Sequence, residues 1–141
     1  MAYDNNNIFA RILRGEIPAH KVFEDETALA FMDVMPQSDG HTLVIPKVAA
    51  ENLFELPSAH LGRLIQVTQQ VAVAVRTAFQ PEGLTLMQFN GHEAGQTVFH
   101  IHFHIVPRYS GAGLRSHSRQ MADNALLADH AQRIRAALAQ A

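Results

Sequence analysis

Several residue types that carry protein chemistry are missing from this sequence. None of its 141 residues is cysteine, which excludes disulfide bonds, thiolate metal sites and a cysteine nucleophile. No apolar run approaches the roughly 20 residues that a membrane-spanning helix requires. Residues 1–7 are polar and do not resemble a signal peptide. We therefore expect a cytoplasmic protein that does not interact with membranes.

A strong excess of charge of one sign is also absent. The chain carries 11 lysine and arginine residues against 13 aspartate and glutamate residues, a formal net charge of −2. The basic residues are spread along the chain, so nothing indicates a nucleic-acid partner. Hydrophobic residues make up 48% of the chain and charged residues 17%. We expect one domain spanning residues 1–141 that buries roughly two-thirds of its unfolded surface.

Histidine, by contrast, is concentrated in one stretch. Residues 98–106 read Val-Phe-His-Ile-His-Phe-His-Ile-Val, so that His100, His102 and His104 alternate strictly with apolar residues. Because successive side chains of a strand point to opposite faces, this pattern predicts a β-strand with an apolar face and an imidazole face. The imidazoles would stand roughly 6–7 Å apart along it. A helix would scatter them around its circumference.

An imidazole face is compatible with three roles. The first is the polar outer face of an antiparallel sheet, although such a face more often carries threonine, lysine or glutamate. The second is a transition-metal site, since imidazole is a common metal ligand. The third is catalysis, because imidazole serves as nucleophile, acid or base near neutral pH. The stretch alone does not decide among them.

Hydrophobic periodicity and turn residues divide the rest of the chain into short strands and amphipathic helices. The predicted helices span residues 8–13, 59–79 and 125–139, and the predicted strands span residues 20–24, 28–33, 41–46, 84–90 and 98–106. Residues 109–118 are expected to be irregular. Five strands with hairpin-like connections and peripheral helices predict an α+β fold, an antiparallel five-stranded sheet with flanking helices.

Residues 100–106 resemble the signature of the histidine-triad (HIT) family, in which three histidines alternate with apolar residues. Further segments are similar, in order and spacing, to that family's opening helix, nucleotide-pocket strands and phosphate loop. These segments are residues 7–18, 31–33, 41–47 and 90–97. The resemblance covers about residues 5–110 and is closest to the bacterial branch near the nucleoside phosphoramidase group. Residues 111–141, an irregular stretch and a helix, are expected to complete the same domain.

The resemblance implies an enzyme that binds purine nucleotides and attacks the α-phosphorus with His102. A covalent nucleotidyl-histidine would form and then release a nucleoside monophosphate, which splits one displacement into two easier ones. The resemblance places His104 near the leaving group, where it can stabilise charge or deliver a proton. It gives His100 and His41 the task of orienting and polarising the others. Thr97 would reach the phosphate or the leaving group through its hydroxyl.

The resemblance also assigns nucleotide-binding positions, some of which periodicity alone would place in the core. These are Ile8, Phe9, Ile12, Phe31, Val34 and Leu43 for the base, Asp33 for the ribose, and Asn90, Gly95, Gln96, Thr97, His102 and His104 for ribose or phosphate. Glycine at position 95 would let the backbone approach a phosphate closely. The remaining histidines have no counterpart in the family and are predicted to be surface or packing residues. They are His20, His60, His92, His117 and His130.

Some members of the family bind a structural zinc through Cys-x-x-Cys in the opening helix and two histidines. The matching positions here are Asn7 and Ala10, so we expect that site to be absent. We expect no metal and no other cofactor. A zinc ion on the triad would occupy the lone pair with which His102 is expected to attack.

Two alternatives to a phosphoramidase-like hydrolase stay open at this point. The same triad serves dinucleoside polyphosphate hydrolases, and a nucleotide- or partner-binding protein with incidental catalysis is the possibility outside enzymes. The expected substrate is a purine nucleotide, as a conjugate of AMP or GMP. The resemblance also implies a homodimer in which the sheet continues from one copy into the other. In this chain the expectation is motivated by the edge of the strand at residues 84–90, which would otherwise be open to unwanted pairing.

Overall fold

Five strands form one antiparallel sheet in the order β1-β2-β3-β5-β4 in a computed structural model that describes residues 2–115 and 121–141. The strands are β1 Lys21–Glu24, β2 Ala28–Met32, β3 Thr42–Pro46, β4 Gly83–Met87 and β5 Phe103–Arg108. Every neighbouring pair runs antiparallel. The α+β fold with an antiparallel five-stranded sheet is therefore confirmed.

Three α-helices flank the sheet. They are α1 Ile8–Leu13, α2 Ser58–Phe79 and α3 Asn124–Ala139, and a short 3₁₀ turn spans His92–Ala94. The Asn7 side chain begins α1 by accepting a hydrogen bond from the N–H of Ala10 at 2.9 Å. Gln80 ends α2 in the left-handed conformation, with φ of 52°. No helix within the described ranges is long and apolar enough to cross a membrane.

The sheet is covered on both faces, which explains why every residue of β2 and β3 is buried. The larger core lies between the sheet and helices α2 and α3, with Val44 and Ile105 on its sheet side. The smaller core lies under α1 on the opposite face. It consists of Phe9, Ile12, Leu29, Phe31, Leu43 and Ile45. The alternation along β2 and β3 therefore separates two apolar environments.

The predicted strand over residues 98–106 is wrong in its first half. Residues 98–102 form no strand, and β5 begins only at Phe103. The N–H of Ile101 donates to the carbonyl of Ala50 at 2.9 Å, so this segment binds a loop instead of a neighbouring strand. Its alternation persists because an extended backbone also directs side chains to opposite sides. Two successive histidines thus lie outside the sheet.

The other end of β5 also differs, because the strand continues through Pro107 to Arg108. A proline lacks the N–H that a central strand must donate to a neighbour. The pairing of β3 with β5 ends at Thr42 and Ile105, so beyond that point β5 pairs with β4 alone. Pro107 therefore lies at a local edge, where no second partner needs its N–H. The remaining boundaries agree within one residue, except that β4 ends three residues before the predicted end.

Candidate active site

Three histidines meet where β3 and β5 lie side by side. His41 directly precedes β3, and His104 lies on β5 opposite Leu43. The Nε2 atom of His41 is 3.0 Å from Nδ1 of His104, and the ring centroids of His102 and His104 are 4.8 Å apart. All three side chains are buried. The predicted residues His41 and His102 thus both contact His104.

The hydrogen bonds around His41 determine which nitrogen of His104 carries a proton. The backbone N–H of Gln37 donates to Nδ1 of His41 at 3.0 Å, so the proton of neutral His41 lies on Nε2. That Nε2–H donates to Nδ1 of His104, which leaves the proton of neutral His104 on its own Nε2. His104 therefore presents an N–H group. The group that fixes the His41 tautomer is the backbone N–H of Gln37. The sequence of side chains therefore could not predict which nitrogen of His104 carries the proton.

Asp33 completes this group of buried side chains. Its Oδ2 lies 3.4 Å from Nε2 of His41, and its Oδ1 accepts a hydrogen bond from the N–H of Met35 at 2.8 Å. The position follows from local pairing, because the N–H of Asp33 donates to the carbonyl of His41 at 3.1 Å. A carboxylate at this distance favours positive charge on the His41–His104 pair. Asp33 was predicted to bind ribose, and in this structure it also contacts a histidine.

His102 has the opposite arrangement of its two nitrogens. Its Nδ1 lies 2.7 Å from the backbone carbonyl of His100, which can only accept a hydrogen bond. The proton of the neutral ring is therefore on Nδ1, and Nε2 carries the lone pair. The ring of Phe9 meets the His102 ring edge-on, with 4.9 Å between the centroids. Two contacts thus orient a nucleophilic nitrogen.

His100 is completely buried and forms hydrogen bonds through both ring nitrogens. Nε2 donates to the carbonyl of Pro46 at 2.8 Å, and Nδ1 accepts a hydrogen bond from the hydroxyl of Tyr3. Burial lowers the pKa of His100 to about 4, which keeps the ring neutral. His100 therefore fastens the N-terminal segment to the end of β3 and supports His102 through its carbonyl. Tyr3 was not predicted, since nothing in the sequence relates it to a residue 97 positions away.

The residues predicted to hold the base fall into two groups. Phe9, Ile12, Phe31 and Leu43 are buried in the smaller core. Ile8 and Val34 are exposed at 45% and 38% of their surface. The buried group can form the rigid wall of a base slot, whereas Ile8 and Val34 lie where a ligand can reach them.

The loop after the 3₁₀ turn is stabilised by its own hydrogen bonds. The N–H of Gly95 donates to His92, and the N–H of Gln96 donates to Gly91, each at 3.0 Å. Gln96 is buried, and its side chain donates to the carbonyl of Glu51 at 2.6 Å and accepts from the N–H of Gly91 at 2.8 Å. Gly91 and Gly95 have φ of 96° and 102°, which favour glycine. Gln96 therefore supports the loop from inside.

The amides next along the chain are better placed to bind a phosphate. The described residues offer no acceptor to the N–H groups of Thr97 and Val98, and the Thr97 side chain is exposed. Val98 was missed in the sequence because its contribution is a backbone group. Asn90 holds the loop by accepting a hydrogen bond from the N–H of Leu53 at 2.8 Å and pairing with Gln88. The predicted phosphate loop thus shifts towards Thr97 and Val98.

The remaining histidines lie apart from this cluster as far as the structure describes them. His60 and His92 are exposed, and His20 lies 3.2 Å from the Asn124 side chain. His130 is buried against Phe79, with 4.9 Å between the ring centroids. His117 lies outside the described residues.

The positions expected for a structural zinc do not fit that ion. Asn7 uses its side-chain oxygen to begin α1, Ala10 offers no donor atom, and His100 receives the Tyr3 hydroxyl at Nδ1. Within residues 2–115 and 121–141, one other group of three side chains is close enough to hold a metal, namely Asp33, His41 and His104. Their hydrogen bonds already account for that proximity.

The chain is similar to known proteins in both sequence and fold. A family model described as "HIT domain" matches residues 14–111. The protein hit of Bacillus subtilis is 46% identical over 104 residues, 74% of this chain and 72% of that protein. The adenosine 5'-monophosphoramidase of Schizosaccharomyces pombe is 40% identical over 101 residues, 72% of this chain and 73% of that protein. The crystal structure of a HIT-like protein from Bartonella henselae superposes with a TM-score of 0.90 at 48% identity, covering 96% and 99% of the two chains.

Proposed function

This chain belongs to the HIT domain family, and we propose that it hydrolyses purine nucleoside phosphoramidates at the α-phosphorus. The observation that carries the proposal is the opposite tautomers of two adjacent imidazoles. His102 presents a lone pair on Nε2, and His104 presents an N–H on Nε2, with the ring centroids 4.8 Å apart. A nucleophile and a proton donor side by side suit displacement of a poor leaving group.

In the first step, Nε2 of His102 attacks the α-phosphorus and forms a P–N bond. The bond between phosphorus and the leaving amine breaks, and its electron pair stays on the amine nitrogen. That nitrogen needs one proton. A proton from solvent first enters Nδ1 of His104 as the hydrogen bond from His41 opens, and Asp33 favours this charged state. The Nε2–H of His104 then protonates the amine, which leaves the ring neutral with its proton on Nδ1.

In the second step, water attacks the phosphorus of the nucleotidyl-histidine. Nε2 of His104, which gave up its proton in the first step, accepts a proton from that water. The P–N bond to His102 breaks, its electron pair returns to Nε2, and a nucleoside monophosphate leaves. The Nδ1 proton of His104 then passes to solvent. The N–H groups of Thr97 and Val98 supply donors for the phosphate oxygens in both steps.

The proposal is supported by the name of a relative, since the protein from Schizosaccharomyces pombe is called an adenosine 5'-monophosphoramidase.

The deciding experiment compares kcat/KM for adenosine 5'-phosphoramidate with kcat/KM for diadenosine polyphosphates. We expect the phosphoramidate to be the better substrate. If the ratio is reversed, the protein is a dinucleoside polyphosphate hydrolase. If neither substrate is hydrolysed but AMP binds, the protein binds nucleotides without catalysis, and both hydrolase hypotheses are wrong.

Discrimination among bases is expected to be weak. The residues proposed to form the base slot are apolar, and a hydrophobic slot distinguishes ligands by shape more than by polar groups. Adenosine and guanosine phosphoramidates should therefore give kcat/KM values within about tenfold of each other. Selectivity should instead arise on the side of the leaving group.

We also propose that two copies form a homodimer through β4. This strand is at the edge of the sheet, and an apolar groove beside it is lined by Ile65, Ala72, Leu84 and Leu86. Ile65 and Leu86 are exposed at 40% and 45% of their surface. The opposite edge is partly covered, because Arg135 of α3 donates a hydrogen bond to the Lys21 carbonyl. An uncovered apolar edge favours pairing with a second copy.

Sedimentation velocity at micromolar concentration tests the dimer. The wild type should sediment as a dimer, and Leu86→Glu should shift it to a monomer by placing a charge at the pairing edge. Leu126→Glu is the matched control, since Leu126 is also 40% exposed but lies on α3. A monomeric wild type would contradict the proposal.

Residues 111–141 are proposed to belong to the same domain as the motifs before them. Leu127, Ala131 and Ile134 of α3 are buried in the larger core together with residues of α2 and the sheet. Truncation after residue 110 should therefore destabilise the whole fold in urea. A cytoplasmic location stays a prediction from the sequence.

A further inference from the structure

A cavity of about 420 Å³ adjoins the proposed nucleotide site. It is lined by Ala2, Asp4, Asn7, Ile8, Glu51, Thr97, Val98 and Phe99. Ile8 and Thr97 are shared with the proposed site, where they face the base and the phosphate. The cavity therefore adjoins the loop residues that are proposed to bind the phosphate.

Glu51 is an unusual wall residue because it is a carboxylate with only 7% of its surface exposed. Its Oε1 is buried and has no hydrogen-bond partner among the described residues. A buried carboxylate is unfavourable unless a cation or a set of hydrogen-bond donors compensates it. The residues that line the cavity include no lysine or arginine. Among the described residues that line the cavity, none supplies a cation for Glu51, and a cationic ligand would supply one.

The backbone of Glu51 is fixed relative to the phosphate loop. Its carbonyl accepts a hydrogen bond from the Gln96 side chain at 2.6 Å, and Gln96 directly precedes Thr97. The neighbouring carbonyl of Ala50 accepts from the N–H of Ile101 at 2.9 Å, next to His102. The carboxyl group is therefore held in register with both the phosphate donors and the nucleophile.

A second carboxylate, Asp4, adds to the negative charge of the cavity. Its Oδ1 accepts a hydrogen bond from the N–H of Asn6 at 2.8 Å. The nearby guanidinium of Arg14 is engaged with Glu16, at 2.7 Å between Nε and Oε2. Among the cavity-lining residues that the structure describes, none has a basic side chain that could neutralise Asp4.

We propose that this cavity binds the terminal ammonium group of a cationic leaving amine, with Glu51 as its principal partner. The inference rests on the proposed function, since it names the class of leaving group that the same site prefers. An ammonium group offers three donors and no acceptor. Those donors match the carboxylates of Glu51 and Asp4 and the hydroxyl of Thr97. Nucleotide conjugates of diamines, or of a lysine side chain linked through its other amine, have this chemistry.

The test uses two adenosine 5'-phosphoramidates of equal length, one made from 1,3-diaminopropane and one from n-butylamine. They differ only in whether the chain ends in an ammonium or a methyl group. The wild type should show kcat/KM about tenfold or more higher for the diamine conjugate, as a hydrogen-bonded ion pair provides. Raising the salt concentration should reduce the difference only weakly if the pair is shielded from solvent.

Variants assign the preference to the cavity. Glu51→Gln keeps the shape of the side chain and should abolish the preference, so that the ratio of the two kcat/KM values within this variant falls to about one. Asp4→Asn should reduce the preference by a smaller factor and is the second variant should Glu51→Gln fold poorly. Glu26→Gln is the matched control, because it removes the same charge from an exposed turn. It should retain the full preference.

Binding to the His102→Ala variant separates this inference from the proposed function. There the diamine conjugate should bind with Kd about tenfold or more lower than the butylamine conjugate, whether or not the wild type hydrolyses either. Hydrolysis of both conjugates at equal kcat/KM, with equal Kd values on His102→Ala, would overturn the ammonium site and leave the phosphoramidase intact. Absence of hydrolysis with a preserved difference in Kd would overturn the phosphoramidase and keep the ammonium site. A preference that survives in Glu51→Gln would show that the cavity is not its source.

Discussion

The two halves of the histidine stretch differ in what holds them. His100 and His102 lie before β5 begins, where the backbone carbonyls of Pro46 and His100 and the Tyr3 hydroxyl bind them. His104 lies on β5 and is held by a side chain, His41, from the neighbouring end of β3. The same residue type is therefore fixed by the backbone in one half and by another side chain in the other.

This difference gives neighbouring imidazoles opposite chemistry. A backbone carbonyl can only accept, so it places the proton of His102 on Nδ1 and the lone pair on Nε2. The His41 Nε2–H donates to His104, so it places the His104 proton on Nε2. Two adjacent rings of one type thereby present a lone pair and an N–H group, which suit the proposed nucleophile and proton donor. The substitutions predicted below disturb these supports.

The largest effect is expected for His102→Ala. Without the proposed nucleophile, kcat should fall by about three orders of magnitude or more. Affinity for AMP should change little, because the base slot and the loop amides are proposed to bind the nucleotide. Isothermal titration and steady-state turnover measure the two quantities, and His60→Ala, an exposed histidine on α2, serves as the control.

A trapped intermediate tests the same assignment directly. Rapid quench of the wild type with labelled substrate should yield an adduct that is labile in acid and stable in base, as a phosphoramidate is. Peptide mapping should place the label on His102. Near-normal activity of His102→Ala, or an adduct on His100 or His104, would show that His102 is not the nucleophile.

His104→Ala should have an effect that depends on the leaving group. With an alkylamine leaving group, the loss of proton donation should lower kcat/KM by about 10²- to 10⁴-fold. With a nitrophenolate leaving group, which departs without a proton, the loss should be much smaller. Equal losses for both leaving groups would mean that His104 does not act as the acid.

The sheet could be predicted from the sequence because apolar and polar residues alternate with a period of two. The three histidines follow the same alternation, and this spacing carries the resemblance to the family. It did not predict that residues 98–102 leave the sheet. An extended loop and a strand give the same alternation, and the Ile101–Ala50 hydrogen bond that distinguishes them joins backbone atoms.

The residues that set the tautomers were also beyond prediction. The carbonyl of His100 and the N–H of Gln37 belong to the backbone, so no side-chain pattern reveals them. Tyr3 contacts His100 across 97 positions, and only the path of the N-terminal segment brings them together. The catalytic and binding roles themselves stay predictions.

A smaller effect is expected on stability in acid. Burial lowers the pKa of His100 to about 4, whereas an unfolded histidine has a pKa of about 6.5. Between these values the unfolded chain binds a proton that the folded chain does not. The free energy of unfolding should therefore fall by about 3 kcal/mol as the pH drops from 6.5 to 4.

Urea unfolding at several pH values measures this loss. His100→Gln removes the titrating ring, so its free energy of unfolding should depend less steeply on pH in that window. His60→Ala should keep the dependence of the wild type. If His100→Gln and the wild type have the same slope, His100 does not titrate as proposed.

Tyr3→Phe should have a smaller effect again, because it removes one hydroxyl and keeps the ring. The Nδ1 atom of His100 would lose its donor in a buried position, which should destabilise the fold by about 1–3 kcal/mol. Turnover should fall only modestly, since His102 still donates to the His100 carbonyl. A large loss of kcat without a loss of stability would show that the N-terminal segment acts on the nucleophile directly.

The smallest effect, none at all, is expected from removing metal ions. At the family's zinc positions Asn7 and Ala10 provide no thiolate, and the Tyr3 hydroxyl takes the His100 nitrogen. A metal on Asp33, His41 and His104 would have to break the 3.0 Å hydrogen bond between the two rings. The metal would then occupy Nδ1 of His104 and replace the hydrogen bond from His41, which is what distinguishes His104 from His102.

Dialysis against chelator should leave turnover and the unfolding midpoint unchanged. Metal analysis of the same sample should find less than stoichiometric zinc. Stoichiometric zinc together with chelator-sensitive turnover would mean that a metal, and not the His41 ring, sets the state of His104.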